Sequence, residues 1–424
     1  MTVKILALIL FVVMYIAMIT KPKYRPQIAL SVAVIYLIAG IVPFSELPVT
    51  INWNVLMMIS GTMIIVYYFI ESLMPNLLAD FILNKSKNAM WVTILMSLFA
   101  GLISAFIDNV ATVLMVAPVG LAVCKKLKMN PVGMILSIAV SSNLQGAATL
   151  VGDTTSIMLA DYADMNFMEF FWMNGKLGIF FAVEIGAIAT VPIMMILFRR
   201  NREPVSSDER TKVKDMVPTV MLLLMVAALI TASFIPDTPS AINGIICMVL
   251  AMFTIIIDIF RKKGIRDAKE AIIEVDFATL GLLLGLFIVI GGLSKVGIID
   301  DFADYIVKFG GDNIFVLYTI IVWGSVIISA FVDNIPYVAT MLPVLASVTA
   351  SLGVEPYLLY FGLLSGATLG GNITPIGASA NIAATGLLKK EGYDVAFKDF
   401  IRIGVPYTLT AVMAGYLYLW FVWG

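Results

Sequence analysis

Two aspartate–asparagine pairs set in apolar sequence are the residues of this chain best suited to ion chemistry. The first pair, Asp108-Asn109, ends the stretch Ser-Ala-Phe-Ile-Asp-Asn, and the second pair, Asp333-Asn334, ends the stretch Ser-Ala-Phe-Val-Asp-Asn. The two stretches recur at an offset of 225, and the longer segments that they begin, 104–118 and 329–343, share 7 of 15 residues. A carboxylate inside a membrane costs about 3 kcal/mol on insertion scales, so its presence there indicates a function. We predict that both pairs bind a coupling cation, Na⁺ or H⁺.

A second polar stretch follows each pair, Ser141–Ser156 in the first half and Gly366–Asn381 in the second. The two share the core Ala-Thr-Leu-x-Gly-[Asp/Asn] at an offset of 219, which aligns Asp153 with Asn372. Glycine and hydroxyl residues at this density interrupt a helix and leave backbone carbonyls and amides free. Free carbonyls beside an aspartate suit a cation, whereas free amides at a helix start suit an anion.

We therefore add Asp153 and Asn372 to the predicted cation site. The remaining polar and glycine positions of the four motifs are predicted to bind the transported solute. These positions are Ser104, Thr112, Asn143, Thr149, Gly152, Thr154, Thr155, Ser329, Thr368, Gly371, Thr374, Ser379 and Asn381.

Two purely structural alternatives apply to the same residues. Asp108 and Asp333 could cap the helices that follow them, because aspartate is a preferred N-cap residue. The glycine, serine and threonine positions could simply allow helices to pack closely. Both alternatives can coexist with ion binding, and the sequence leaves them open.

The composition identifies a membrane protein with several spans. Of 424 residues, 61% are hydrophobic and 13% are charged, compared with about 25% charged in soluble domains. The chain has no histidine, which excludes histidine proton relays and histidine-ligated metals. Its two cysteines give no disulfide framework or cysteine metal site. A net charge of −1 gives no reason to expect a nucleic-acid partner, and we predict the lipid bilayer and a small ion as partners, with no cofactor.

Hydropathy predicts an all-α polytopic fold of ten full spans plus two re-entrant hairpins. The hairpins cover 88–125 and 313–351, each with an Asp-Asn pair at its midpoint, because irregular backbone at membrane depth must be buried or line a cavity. Two of the full spans are broken by glycine and polar residues. The full spans lie near 3–20, 27–44, 53–71, 131–160, 174–198, 216–235, 240–260, 276–294, 356–388 and 403–423.

The distribution of basic residues predicts the orientation. With the N-terminus outside, all but four of the 27 basic residues fall on the cytoplasmic side, as the positive-inside rule requires. The exceptions are Lys4, Lys176, Lys295 and Lys308. The two hairpins then enter from opposite sides, which indicates two inverted repeats of the kind found in secondary transporters. Both termini lie outside in this arrangement, and we expect a prokaryotic plasma membrane.

The predicted polar sites contain no lysine or arginine, and this bears on the choice of solute. An anion would have to rest on helix termini, hydroxyls and a co-bound cation. Movement of a small anion or oxyanion with Na⁺ or H⁺ is therefore the first hypothesis, and Na⁺/H⁺ antiport is its close alternative. An anion channel is less favoured, because oppositely oriented hairpins suggest alternating access. An enzyme is not predicted, since no set of nucleophile and base is present.

The motifs resemble a known superfamily. Ser-Ala-Phe-[Ile/Val]-Asp-Asn together with Gly-Gly-Asn-x-Thr-x-Ile-Gly-Ala-Ser-Ala-Asn (370–381) is similar to the ion transporter superfamily, with its citrate-transporter-like domain. The branch resembled most is that of arsenite permeases, with the P protein and the NhaD-type sodium/proton antiporters nearby. Distant dicarboxylate/Na⁺ symporters have Ser-Asn-Thr at the hairpin tips, where this chain has Asp-Asn-Val and Asp-Asn-Ile.

The resemblance implies a homodimer with an elevator-type movement of one domain against another. The transport domain would contain 88–198 and 313–424, each with a hairpin and a broken helix. The scaffold would contain the spans of 1–87 and 216–312. The segment 199–215 would be a cytoplasmic linker between the halves.

Overall fold

The protein is built almost entirely from helices, as expected from its sequence. The computed structural model describes residues 3–204, 211–236, 238–262, 264–311 and 313–424. A short antiparallel β-hairpin lies between the last two helices of the first half. Its strands, β1 (Trp172–Met173) and β2 (Lys176–Leu177), have two residues each. The helices of that half are α1 (Val3–Thr20), α2 (Arg25–Ile38), α3 (Leu47–Thr50), α4 (Trp53–Glu71), α5 (Met74–Lys85), α6 (Ala89–Ser104), α7 (Asn109–Lys126), α8 (Val132–Gln145), α9 (Thr154–Tyr162) and α10 (Ile179–Leu197).

The second half repeats much of this order. Short 3₁₀ segments, Gly146–Ala148 and Gly371–Ile373, follow α8 and its counterpart α18. The helices of the second half are α11 (Val217–Ala232), α12 (Ile242–Lys262), α13 (Arg266–Ile273), α14 (Phe277–Lys295), α15 (Ile298–Gly310), α16 (Ile314–Ser329), α17 (Asn334–Leu352), α18 (Tyr357–Gly370), α19 (Ser379–Lys390) and α20 (Phe397–Trp423).

Each of the ten predicted spans coincides with a helix or a broken pair of helices, but the lengths differ from expectation. By length and composition, eight helices of the described residues can cross a bilayer, or nine if the bent pair α15–α16 is one span. The hairpin arms α7 and α17 are among the eight. In contrast, α2 ends at Ile38, although the predicted span reached residue 44, because the chain turns at Gly40, which has a φ of +68°.

Both predicted hairpins are present as pairs of helices that meet at an aspartate. Asp108 is the N-cap residue immediately before α7, and its carboxylate accepts hydrogen bonds from the amides of Val110 at 3.0 Å and Ala111 at 3.1 Å. Asp333 precedes α17 in the same way and accepts from the amide of Ile335 at 3.2 Å. Asp108 and Asp333 therefore both act as N-cap residues. Capping uses only part of the hydrogen-bonding capacity of a carboxylate, so it does not oppose an additional role.

Both predicted broken helices are also present, and their equivalence corrects one expectation. A Cβ added at Gly152 would lie 2.6–2.8 Å from three backbone carbonyl oxygens, and one added at Gly377 would lie 2.7–2.9 Å from the three carbonyls found 225 residues later. The offset that relates the breaks is thus 225, the same as that of the hairpins. The alignment at an offset of 219 was wrong, and the counterpart of Asp153 is Ala378 rather than Asn372.

The helices pack as two sets. In one set, α4 packs against α12 and α2 against α14, with Gly61 touching the backbone of Cys247 and Gly285 touching that of Ala29. In the other set, α6 packs against α8, α16 against α18, and α10 against α20. These two sets coincide with the helices assigned above to the scaffold and to the transport domain, and this division remains a prediction.

The segment predicted to link the halves is held to the first hairpin at its beginning. The amides of Ala89 and Met90 donate to the carbonyls of Glu203 at 3.0 Å and Asn201 at 2.8 Å. At its far end, the amide of Lys214 donates to the carbonyl of Ser72 at 2.9 Å. Residues 205–210 of this segment lie outside the described residues.

Candidate functional site

The centre of the candidate site is the carboxylate of Asp153, which is 3% exposed. One of its oxygens, Oδ2, accepts from three side chains of three different helices. The donors are Asn109 Nδ2 of α7 at 3.5 Å, Asn334 Nδ2 of α17 at 3.4 Å and Thr155 Oγ1 of α9 at 3.2 Å. The two asparagines belong to the two hairpin motifs and are 225 residues apart. Both hairpins therefore converge on one buried charge.

A layer of amide groups connects the two halves behind this carboxylate. Asn143 Nδ2 donates to the carbonyl of Thr368 at 2.8 Å and to Asn372 Oδ1 at 3.0 Å, and Asn143 Oδ1 accepts from Asn109 at 2.8 Å. Asn372 in turn donates to the carbonyl of Val140 at 3.0 Å. The hydroxyls of Thr155 and Thr368 lie 3.4 Å apart. Six of the predicted residues outside the aspartates thus form one network that includes Asp153.

We expect Asn143→Ala to destabilise the protein by roughly 1–3 kcal/mol, because it removes the Asn143 hydrogen bond to the buried carbonyl of Thr368 and the shorter of the two hydrogen bonds of Asn109 Nδ2. The measurement is the apparent melting temperature of the purified protein in detergent. Asn130→Ala is the matched control, because Asn130 lies just before the same helix, is exposed, and makes a single side-chain contact there, accepting from the amide of Val132 at 2.9 Å. Equal melting temperatures for the two variants would contradict the role given to Asn143.

Most of the remaining predicted solute residues hold the chain around the breaks. The hydroxyls of Thr149 and Thr374 donate to the carbonyls of Ala105 and Ala330, which lie in the two hairpin turns. Other contacts of this kind are Ser142 Oγ to Ser104 Oγ at 3.1 Å, Ser329 Oγ to the Ala367 carbonyl at 2.6 Å, Asn381 Nδ2 to the Gly371 carbonyl at 2.9 Å, and Thr112 Oγ1 to the Ile107 carbonyl at 3.4 Å. The structural alternative thus accounts for the contacts that these side chains make.

Asp108 lies beside Asp153 and opens toward a larger space. A small cavity of about 10 Å³ is lined by Asp108, Asp153, Thr62 and Thr154, which is close to the space that one water molecule needs. Asp108 and Thr62 also line a cavity of about 560 Å³, hereafter the Asp108 cavity, together with the carboxylates Glu71, Glu274 and Asp276. The buried centre therefore adjoins an acidic vestibule.

A second vestibule lies at the other end of α4. Its volume is about 790 Å³, and its lining includes Asn52, Asn54, Asp161 and Pro343. Asn54 Nδ2 donates to Asp161 Oδ1 at 2.7 Å, and Asn52 Nδ2 donates to Asp161 Oδ2. These contacts join the start of α4 to the end of α9.

Asp333 has a partner that the sequence did not predict. Arg25 Nη1 lies 2.7 Å from Asp333 Oδ2, and the two side chains are only 12% and 3% exposed. Ser379 Oγ donates to the same carboxylate oxygen at 3.3 Å. The expectation that no lysine or arginine enters a predicted polar site was wrong. Arg25 was placed among the cytoplasmic charges because it follows Lys21 and Lys23 closely in the sequence.

The short length of the helix that Arg25 begins is a feature that could have indicated a buried position for this residue. Arg25 is followed by Pro26, which is favourable in the first turn of a helix, so α2 begins at Arg25 itself. A helix of 14 residues is about 21 Å long, shorter than the roughly 30 Å hydrocarbon core. An arginine at the end of so short a helix can lie below the membrane surface.

A helical membrane fold that encloses a buried polar centre beside broken helices is typical of membrane transporters. The family model described as "CitMHS: Citrate transporter" matches residues 15–364. The chain belongs to this family of the ion transporter superfamily, and the resemblance of its motifs to that superfamily is confirmed.

Relatives in sequence agree with this assignment, and a solved structure of a transporter shares the fold. An uncharacterized transporter of Mycobacterium tuberculosis is 30% identical, and the alignment covers 98% of each chain. The P protein of Homo sapiens is 24% identical over 87% of this chain, which spans about half (53%) of that longer protein. The YdaH transporter of Alcanivorax borkumensis has the same overall fold, with a TM-score of 0.58 at 13% identity, covering 89% of this chain and 87% of that one.

Proposed function

We propose that this protein is a secondary active transporter that moves a small anion, coupled to Na⁺ or H⁺. A carboxylate is the first class of anion to test, because the family is described as citrate transporters. The site residues proposed for the coupling cation are Asp108 and Asp153, with Asn109, Asn334 and Asn372 around them. Asp333 belongs to the same polar region, and its role is treated separately below.

The observation that carries this proposal is the buried carboxylate of Asp153, contacted by asparagines from both hairpins. A carboxylate in such a place needs a compensating positive charge or a proton. The small cavity between Asp108 and Asp153 has room for one ion or water, and Thr62 and Thr154 are the other polar residues of its lining. Oxygen ligands at unwound helices are the usual cation sites of secondary transporters.

The charges also explain why an anion would need the cation. Two unit charges 4 Å apart interact by about 4 kcal/mol at an effective dielectric constant of 20. An anion placed near Asp153 without a cation would be repelled by roughly that amount. A cation bound first offsets this repulsion, and this order of binding would couple the two fluxes.

The proposed movement is alternating access of an elevator type in a homodimer. The positive-inside rule places the Asp108 cavity on the cytoplasmic side and both termini outside. The helix set with the two hairpins would carry the site, and the set with α2, α4, α12 and α14 would be the scaffold. In this arrangement the described conformation faces inward, because the small cavity shares Thr62 and Asp108 with the Asp108 cavity.

Na⁺/H⁺ antiport is the second candidate, and one observation favours it. The Asp108 cavity is lined by four carboxylates, which attract cations and repel a free anion. A site with more carboxylates than basic groups suits a transporter whose solutes are both cations. The two candidates share the cation site and differ in whether an anion is carried.

Purified protein reconstituted in proteoliposomes separates these functions. With an inward Na⁺ gradient or an inward H⁺ gradient, we expect uptake of radiolabelled citrate or a smaller carboxylate to exceed uptake without a gradient at least tenfold. The antiport test uses the same vesicles with an internal pH dye and no carboxylate. Discharge of a pH gradient by Na⁺ or Li⁺ alone would replace anion transport with antiport. If neither carboxylate uptake nor discharge of the pH gradient is observed, both candidate functions are rejected.

A further inference from the structure

The ion pair of Arg25 and Asp333 joins the two sets of helices. Arg25 begins α2, which packs against α14, whereas Asp333 is the tip of the second hairpin. The neighbouring helix α1 touches the same hairpin: Tyr15 OH donates to the carbonyl of Pro336 at 2.6 Å and lies 2.6 Å from Thr340 Oγ1. Tyr15 of α1 and Arg25 at the start of α2 thus both contact the beginning of the second hairpin's helix α17.

The equivalent aspartate of the first hairpin has a different surrounding. Asp108 caps α7 just as Asp333 caps α17, but the cavity it faces carries Glu71, Glu274 and Asp276, and none of its described lining residues is a lysine or an arginine. Two carboxylates at the same place in the repeat therefore differ in their charge partners. One adjoins a space for a mobile ion, and the other has a guanidinium at 2.7 Å.

We propose that Arg25 is a built-in counter-ion, whose guanidinium occupies at Asp333 the position that a mobile coupling cation occupies beside Asp108. This inference rests on the proposed cation coupling. It means that only one of the two hairpin aspartates takes up a coupling cation. Arg25 acts through Asp333 as a residue that sets the number of cations bound.

The physical basis is the cost of an unpaired buried charge. When one partner of a buried ion pair is removed, the remaining charge must recruit a proton, another ion or water. In Arg25→Gln, the Asp333 carboxylate keeps its position but loses its counter-ion, so a mobile cation should replace the guanidinium. In Asp333→Asn no carboxylate remains, and the number of bound cations should stay as in the unmodified protein.

The experiment measures how the apparent melting temperature of the purified protein depends on the logarithm of Na⁺ concentration, at constant ionic strength, and separately on pH. A ligand that binds only the folded protein stabilises it by mass action, so the slope at saturation reports the number of ions bound. We expect Arg25→Gln to raise the Na⁺ or proton slope by one ion, up to a twofold increase. We expect Arg25→Lys, Asp333→Asn and the double variant Arg25→Gln/Asp333→Asn to keep the original slope.

Arg266→Gln is the matched control, because it removes an arginine from an exposed ion pair with Glu270. A smaller slope in Asp333→Asn, or an unchanged slope in Arg25→Gln, would overturn the proposal. If Arg25→Gln does not fold, Asp333→Asn and the double variant still decide, since either must show the original slope. If the unmodified protein has no Na⁺ or pH slope, the proposed cation coupling fails, and a new slope in Arg25→Gln would still support the role of Arg25.

Discussion

Asp153→Asn is expected to reduce gradient-driven uptake at least a hundredfold, which corresponds to about 2.7 kcal/mol. The substitution keeps the shape of the side chain and removes the charge on which Asn109, Asn334 and Thr155 converge. The lost attraction between a carboxylate and a cation at 4 Å, about 4 kcal/mol at an effective dielectric constant of 20, is large enough for this effect. Uptake into proteoliposomes under an imposed Na⁺ or H⁺ gradient measures it.

Asp304→Asn is the control, because Asp304 is an exposed aspartate of α15. It should leave uptake within about twofold of the unmodified protein, a difference of about 0.4 kcal/mol. The order of preference among carboxylates should be the same in any residual activity of Asp153→Asn. A changed preference with normal cation dependence would show that Asp153 contacts the solute instead of the coupling ion.

Alanine at either of the two equivalent glycines, Gly152 and Gly377, is expected to have the second large effect. The new Cβ would lie 2.6–2.9 Å from backbone carbonyl oxygens of the same break and of the hairpin turn beside it. Backbone atoms cannot rotate away as a side chain does, so the break must separate from the hairpin. We expect a loss of roughly 1–3 kcal/mol of stability, typical of overpacking, together with the loss of transport.

Gly324→Ala and Gly386→Ala provide matched controls, since a Cβ at either position meets no atom within 4 Å. Both glycines lie inside helices, where alanine is the better helix former. We expect these two variants to melt at or above the temperature of the unmodified protein. Melting temperatures of all four variants in detergent test this, and normal stability of Gly152→Ala would contradict the close approach of break and hairpin.

Much of the architecture could be predicted because membrane helices obey simple rules. Length and hydropathy located the ten predicted spans, and the repeated Asp-Asn motif located both hairpin tips. Asp108 and Asp333 cap helices at those tips, as expected of aspartate in that position. The broken helices followed from glycine and polar residues within apolar sequence.

The alignment of the breaks could not be predicted reliably, because short motifs of small residues match at more than one offset. Ala-Thr-Leu occurs at 148 and at 367, and this identity suggested that Asp153 and Asn372 are equivalent. Backbone contacts at Gly152 and Gly377 show a different equivalence. The symmetric position of Asp153 holds Ala378, so a single aspartate serves both hairpins. This asymmetry is visible only when side-chain contacts across the halves are known.

The partner of Asp333 was missed for a related reason. A sequence pattern reports which side of the membrane a charge favours, and Arg25 lies in a basic stretch typical of the cytoplasmic side. Whether its side chain points to water or to the protein depends on whether the fold brings a distant carboxylate, here that of Asp333, next to it. Pairs of this kind across distant segments are a tertiary property, and they carry no local signal apart from the short helix that Arg25 begins.

The most direct test of the central claim is the charge that moves when a cation binds. Reconstituted protein on a solid-supported membrane is exposed to a jump in Na⁺ concentration or in pH, with no carboxylate present. We expect a transient current in the unmodified protein and in Asp304→Asn, and its loss in Asp153→Asn. A transient of normal size in Asp153→Asn would contradict the claim that the coupling cation binds at this carboxylate.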